Sequence, residues 1–382
     1  MTHPKPLRVL HLTGTLDRGG IETWLVNLLA QVDRREVAMD VMTVTAQPGP
    51  GSYDGQVRAL GARVFHGPST RNPLTFALGF LRLLQRCGPY DVVHSHIHHF
   101  GGLALLLARL AGVPVRVATS HSDTGRLDRQ ARNGRYAYLT LMRAALDLGV
   151  THRLAVSREA AQALFGPAWQ ERGTRLVRLG IDLRPFREPV KVGAVRAELG
   201  LPPGEPVIGH VGQLRPEKNH AFLLEVFAAY LRRHGPAHLL LVGDGAERAA
   251  IEAQVAALGL DGRVHLPGSR PDVPRLLQGM DVFVFPSTFE GLSLSLLEAQ
   301  AAGLPCVVSA HLTAEGHLAG ATYLPVPLAS GPEVWADAVA QALVAGRRRP
   351  TTLDFDIATN ARALVDLYRE ATAAHPVGGN GS

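Results

Sequence analysis

Lysine is almost absent: Lys5, Lys191 and Lys218 are the only three in 382 residues, so arginine carries the net charge of +6. There is no long basic run and no basic strand interleaved with aromatics, which make up only 6% of the chain, so this charge leaves no nucleic-acid footprint. Cysteine is scarcer still. Cys87 and Cys306 lie far apart, offer neither metal nor redox spacing, and fit two inert buried thiols in a reducing cytoplasm. No apolar run reaches the roughly 20 residues a membrane span needs. The best ones, PLTFALGFLRLL and LALLLARLAGVPV, are broken by Arg82 and Arg109. The opening MTHPKPLRVLHLTG is too interrupted for a secretory segment. The dinucleotide glycine fingerprint and the P-loop are both missing, and no Asp-x-Asp is placed to hold a metal. What remains is a globular balance, 46% hydrophobic and 19% charged, expected in the cytoplasm or, at most, peripheral at the inner face of the cell membrane.

Length suggests two domains. LRVLHLTG, IETWLVNLLAQV, AMDVMTVT, PLTFALGFLRLLQRC, YDVVHSH and GGLALLLARLAG alternate short buried strands with helices, the mark of a parallel sheet covered on both faces. The alternation restarts after a segment rich in Pro and Gly. The expected division is a first Rossmann-like domain at 1–183, a linker at 184–204, a second such domain at 205–352, a terminal helix at 353–374 and a disordered tail from 375. Two doubly wound α/β domains of this kind place their strand ends around a cleft, where open sheets bind ligands.

The turns that follow those strands hold the candidate chemistry. GTLDRGGIE brings Gly19 and Gly20 to a helix N-terminus, suited to a phosphate, with a flexible turn as the plain alternative. HSHIHHF places His94, His96, His98 and His99 at a strand end; polar contacts to a substrate are the favoured reading there, above a metal cluster. His121 ends another buried strand. GQLRPEKN sets Arg215 and Lys218 before a helix, where two cations make an anionic ligand the economical reading and solvated surface charge the bland one. In FEGLSLSLLEAQ, Glu290 precedes a helix and Glu298 sits within it. Eight helical steps bring the two about 80° apart, so both can lean one way, along with the amides of Gly291, Leu292 and Ser293. Glu290 has a structural use beside the helix dipole. Glu298 has none, and a vicinal diol donating two hydroxyls suits it.

The runs GGIETWLVNLL, VVHSHIHHFGG, LGIDLRPF, IGHVGQLRPEKN, LLLVGDG and FEGLSLSLLEAQAAGLPCVVS together resemble the family 4 retaining glycosyltransferases of GT-B fold, most nearly the bacterial exopolysaccharide branch, from Arg8 to about Tyr368. The resemblance implies a nucleoside diphosphate sugar, a UDP-sugar foremost, as donor substrate, with no cofactor and no metal. A saccharide or polyprenyl-linked acceptor would bind the first domain, at His96, His98 and His99. The resemblance assigns the ribose to Glu298, the donor sugar to Glu290 and His121, and the diphosphate to Lys218 with the amides of Gly291, Leu292, Ser293, Gly19 and Gly20. The base would lie near Leu266 and Pro267 and the turn Gly243, Asp244, Gly245, and the last helix would return to the first domain. His121, Lys218 and Glu290 would carry catalysis. One departure falls at Gln213, where the family usually has arginine; Arg215, two places on, is the candidate replacement. The competing classes are a nucleotide-sugar epimerase of the same fold and a non-catalytic nucleotide-sugar-binding protein. Separately, Arg126, Arg129, Arg132, Arg135 and Arg143, interleaved with apolar residues, suggest contact with an anionic membrane, against the plain reading of a solvated basic face.

Overall fold

The computed structural model describes residues 5–45, 49–122, 124, 134–312, 314–351 and 354–375. They form two compact units, one running to Gly180 and resuming at Phe355, the other Ile181–Asp354.

The first unit alternates β1 (Leu7–Thr13), α1 (Gly20–Gln31), β2 (Val37–Thr43), α2 (Asp54–Ala59), β3 (Val64–His66), α3 (Pro73–Cys87), β4 (Val92–Ser95), α4 (Gly101–Leu110), β5 (Val115–Ser120), α5 (Gly134–Gly149), β6 (His152–Ala155), α6 (Arg158–Phe165) and β7 (Arg175–Leu176). The strands pair in parallel in the order β3-β2-β1-β4-β5-β6-β7. Strand order therefore reverses between β1 and β4, the switch point at which α/β sheets place their ligands. Helices cover both faces, so β1 and β4 are buried on each side, which is why they read as continuous apolar runs. Local signals start the helices: Asn72 Oδ1 accepts from the amides of Leu74 and Thr75 at 3.1 and 3.2 Å, with Pro73 next, where its missing N–H costs nothing. Cys306 is buried as expected, whereas Cys87, at the end of α3, is only half-buried.

The second unit contains α7 (Arg184–Arg187), α8 (Val192–Glu198), β8 (Val207–Val211), α9 (His220–His234), β9 (His238–Val242), α10 (Arg248–Ala257), β10 (Val264–Gly268), α11 (Val273–Gly279), β11 (Val282–Phe285), α12 (Leu294–Ala301), β12 (Cys306–Ser309), β13 (Tyr323–Val326) and α13 (Gly331–Ala345). Its parallel order is β10-β9-β8-β11-β12-β13, with the switch point between β8 and β11. Residues 184–204, expected as a linker, hold the helices α7 and α8, both packed on α11. Val195 is buried there, and Arg196 donates to both Asp281 carboxylate oxygens at 2.7 Å. An amphipathic turn was concealed by the surrounding Pro and Gly.

The last helix, α14 (Ile357–Ala374), belongs to the first unit, where it packs on α1 and β5. Asp356 caps it, accepting from Ala358 N at 3.0 Å. Two side-chain bonds fix its register: Trp24 Nε1 donates to Asn360 Oδ1 at 2.8 Å, and the Tyr368 hydroxyl lies 2.5 Å from His94 Nδ1. The expected tail beyond residue 375 lies outside the described residues.

Candidate active site

At the switch point of the second unit two loops are stitched together. β8 delivers Gly212 to Arg215, then a turn at Pro216–Lys218, then Asn219 in the left-handed region at φ 58°, a conformation asparagine tolerates, before α9 begins. Asn219 Nδ2 donates to Pro286 O at 3.2 Å, and Thr288 N donates to Glu217 O at 2.8 Å, tying this loop to the one after β11. The turn Gly243–Gly245 presses on the first loop from the other side. A Cβ on Gly243, at φ 147°, would stand 1.9 Å from Gly212 O, so glycine is required there for packing alone. Gly212 N donates to Val242 O and Leu214 N to Asp244 O, both at 3.0 Å.

This stitching brings Lys218 and Glu290 together. Nζ lies 2.6 Å from Glu290 Oε1, both side chains are about 15% exposed, and Nζ stands 4.8 Å from the centre of the Phe285 ring. Ser293 caps α12, its Oγ accepting from Leu296 N at 3.4 Å, so the hydroxyl is engaged in the helix start. The amides of Gly291 and Leu292, just before it, donate to no protein acceptor among the described residues. Leu266 and Pro267 lie half-buried in β10, and Asp244 is exposed with its Oδ1 accepting from Gly245 N at 2.8 Å. Gln213 is half-buried, whereas Arg215 points to solvent, 3.9 Å from Glu217.

Glu298 lies on α12 between buried Leu297 and Ala299. Among the described residues its carboxyl group has no hydrogen bond and no ion pair. Desolvation pushes its pKa up from 4.5 to about 7. Two positions on, Gln300 shows what a satisfied polar group on this helix looks like. Its Nε2 donates to Leu296 O and Gly316 O at 3.1 and 2.7 Å, and its Oε1 accepts from Leu318 N at 2.8 Å.

The switch point of the first unit is filled differently. His11 on β1, His94 and His96 at the end of β4, and His121 just past β5 are all buried. His11 Nδ1 lies 3.0 Å from His96 Nε2, and His96 Nδ1 2.8 Å from His121 Nε2. His94 bonds Tyr368 through Nδ1 and, at 2.6 Å, Thr119 through Nε2. Burial lowers all four pKa values, those of His11 and His121 to about 3, so the rings are neutral near pH 7. One ring nitrogen from each of His11, His94 and His96 falls within 4.8 Å of the others, close enough for a metal. Both nitrogens of His94 and of His96 are hydrogen-bonded to protein groups, His94 to Tyr368 and Thr119 and His96 to His11 and His121.

Of the three histidines expected to face an acceptor, His96 is therefore turned inward and His99 is buried. His98 is half-buried at φ 49°, its Nε2 3.4 Å from Thr124 Oγ1. Gly19 and Gly20 do stand at the start of α1. Sequence reasoning missed a polar hollow at the ends of β1, β2 and β3, lined by Thr15, Asp17, Thr43, Thr45 and His66 among others. His66 is oriented there by Asp54 at 2.8 Å and Thr43 at 3.1 Å. The signal available was three strands ending in hydroxyl or imidazole side chains.

Comparison with known proteins now decides the family. Residues 18–184 match the family described as Glycosyltransferase Family 4, and residues 205–344 the one described as Glycosyl transferases group 1. Glycosyltransferase EpsF of Bacillus subtilis is 34% identical over 377 residues, covering 96% of this chain and 97% of its own. The chain is a family 4 glycosyltransferase. A second relative of this glycosyltransferase, the Escherichia coli enzyme named UDP-Gal:alpha-D-GlcNAc-diphosphoundecaprenol alpha-1,3-galactosyltransferase, is 32% identical over 71% of each chain. The crystal structure of Anabaena HepE in complex with UDP-glucose matches 97% of both chains with a TM-score of 0.72 at 19% identity, which places the glycosyltransferase in the GT-B fold with two Rossmann-like units.

Proposed function

We propose that this glycosyltransferase binds a nucleoside diphosphate sugar on its second unit and transfers the sugar, with retained anomeric configuration, to a saccharide or lipid-linked acceptor in cell-surface glycan synthesis. The observation that carries the donor assignment is Glu298, a half-buried carboxyl group with no protein partner among the described residues. A ribose offers two adjacent hydroxyls that would supply the missing hydrogen bonds. The relative named for UDP-Gal and a diphosphoundecaprenol acceptor favours a UDP-sugar and a polyprenyl-linked saccharide of that kind.

Departure of the diphosphate is the difficult step. Lys218 and the unpaired amides of Gly291 and Leu292 supply the positive field that stabilises the developing charge, the usual electrostatic contribution, without calling on a metal. Without donor, Lys218 and Glu290 neutralise each other; with donor, the lysine turns to the diphosphate and the glutamate to sugar hydroxyls. The family resemblance alone supports His121, Gly19 and Gly20 as further donor contacts, and Leu266, Pro267 and the 243–245 turn as neighbours of the base.

Calorimetry with UDP tests the core of this reading: Glu298→Ala is expected to weaken binding at least about tenfold, the worth of one or two charged hydrogen bonds. Full affinity in that variant would overturn the ribose assignment. Incubating a UDP-sugar with and without acceptor, followed by NMR of the anomeric centre, separates transfer with retention from epimerisation of the donor alone.

A further inference from the structure

The large apolar side chains exposed on this chain concentrate on one layer of the first unit. α3, α4 and α5 lie side by side, α4 packing against both neighbours. Leu74 and Leu78 of α3 are 77% and 57% exposed, Leu110 of α4 74%, and Tyr136, Leu141 and Leu148 of α5 66%, 63% and 58%. On α5 the residues Ala137, Leu141, Ala144 and Leu148 repeat at spacings of four, three and four, a single stripe along the helix. The opposite stripe, with Leu139, Met142 and Leu146, is buried. The layer is closely fitted underneath: a Cβ on Gly102 would meet Met142 O at 2.1 Å, and one on Gly149 would meet Leu106 N at 2.5 Å. The outer stripe is thus a fixed surface about 17 Å long, from the 1.5 Å rise of a helix.

Its charge is one-sided. The three helices carry Arg82, Arg86, Arg109, Arg135 and Arg143 against a single acid, Asp147, which is paired with Arg153 and Arg172 outside the layer. Arg82 and Arg86 are exposed and make no ion pair among the described residues. Arg109 donates to Leu148 O at 2.6 Å, which sets a guanidinium beside the apolar stripe. Of the five arginines behind the membrane expectation, Arg126, Arg129 and Arg132 lie outside the described residues, and Arg135 and Arg143 belong to this layer.

We propose that the layer formed by α3, α4 and α5 docks on an anionic lipid bilayer, its leucines and Tyr136 entering the headgroup boundary and its arginines meeting lipid phosphates. Exposed leucines flanked by cations and almost no acid match such a surface in both apolarity and charge. The docking does not depend on the donor assignment, and UDP binding reports on that separately.

Flotation of the whole protein with vesicles tests it. Phosphatidylglycerol-containing vesicles are expected to carry the protein upward, pure phosphatidylcholine vesicles to carry much less, and added salt to weaken the effect. The variant R82E/R86E is expected to partition about tenfold or more weakly, and L141E/L148E likewise, with UDP affinity and the thermal midpoint unchanged in both. Leu110→Glu, on a different helix, repeats the apolar arm if the double variant does not fold. Wild-type protein that stays at the bottom with anionic vesicles overturns the proposal, as do variants that float like wild type. It is overturned equally if light scattering shows a dimer that L141E/L148E dissociates while flotation is untouched, which would assign the face to a second copy.

Discussion

The two units place titratable side chains at the same topological position, buried in the first and half-buried in the second, and treat them in opposite ways. Between β1 and β4, His11, His96 and His121 form a hydrogen-bonded chain, and His94 is held by Tyr368 and Thr119. Between β8 and β11, Lys218 and Glu290 pair, and nearby Glu298 has nothing. Both regions keep unmet hydrogen-bonding capacity, at His11 Nε2 and His121 Nδ1 in one and at the half-buried Glu298 carboxyl group in the other, so burial alone does not mark the ligand site. Each of the four histidines has at least one side-chain partner, whereas the carboxyl group of Glu298 has none among the described residues.

The pH dependences of the two regions should have opposite signs. The folded pKa of His11 and His121, about 3, lies below the ordinary 6.5, so the unfolded chain binds more protons between those values. Their contribution to stability is present above pH 6.5 and is lost as pH falls toward 3. The folded pKa of Glu298, about 7, lies above 4.5. Its contribution is fully present below 4.5 and is lost as pH rises through 7, so ionised Glu298 opposes folding at neutral pH.

The largest effect should come from Lys218→Ala, which removes the cation proposed to stabilise the leaving diphosphate. A loss of about 10²–10³ in kcat is expected, read by turnover at saturating donor. A loss confined to KM would leave Lys218 as a binding residue only. Next is Glu298→Gln. It should weaken UDP binding about tenfold, because an amide cannot accept two hydroxyl donors as a carboxylate does. It should also raise the thermal midpoint of the ligand-free protein near pH 8 and leave it little changed near pH 5. Donor affinity in the wild type should rise about tenfold from pH 6 to pH 8 as Glu298 ionises, and this rise should be smaller in Glu298→Gln. The same slope in both would remove Glu298 from the site.

His96→Phe should act on stability instead. It strips the partners from His11 Nδ1 and His121 Nε2, two buried groups, at about 1–3 kcal/mol each. The thermal midpoint should fall and UDP affinity should stay within about twofold. A drop in UDP affinity as large as that of Glu298→Ala would erase the contrast between the two switch points.

Most of the fold was legible because parallel strands buried on both faces announce themselves as apolar runs, as VIGHV of β8 does. That Glu298 lacks a protein partner was legible for the complementary reason, a carboxylate in a run with no other use for one. His11 was not. A histidine inside LRVLHLT reads as one polar residue in a core strand, and only the register that sets His11 opposite His94 reveals the chain. Tyr368 is 274 residues from its partner His94, a separation no local pattern reports. α8 was hidden because Gly193 and the neighbouring prolines outweighed one amphipathic turn whose stability comes from tertiary contacts, Val195 against Gly279 and Arg196 on Asp281.

The smallest expected effect bears on the position where this chain departs from its family. Arg215 was the candidate replacement for the arginine absent at Gln213, but its side chain is 57% exposed and its charged neighbour is Glu217 at 3.9 Å. An exposed pair of this kind is worth about 0–1 kcal/mol. Arg215→Ala should therefore change UDP affinity less than about fivefold, the upper end of that range. Position 213, where the family usually has arginine, is half-buried in the loop that also carries Lys218. Gln213→Arg should accordingly tighten UDP binding several-fold by adding a guanidinium beside the lysine. A tenfold loss in Arg215→Ala, with no gain in Gln213→Arg, would instead mean that the loop rearranges on binding and that Arg215 swings inward to take the phosphate.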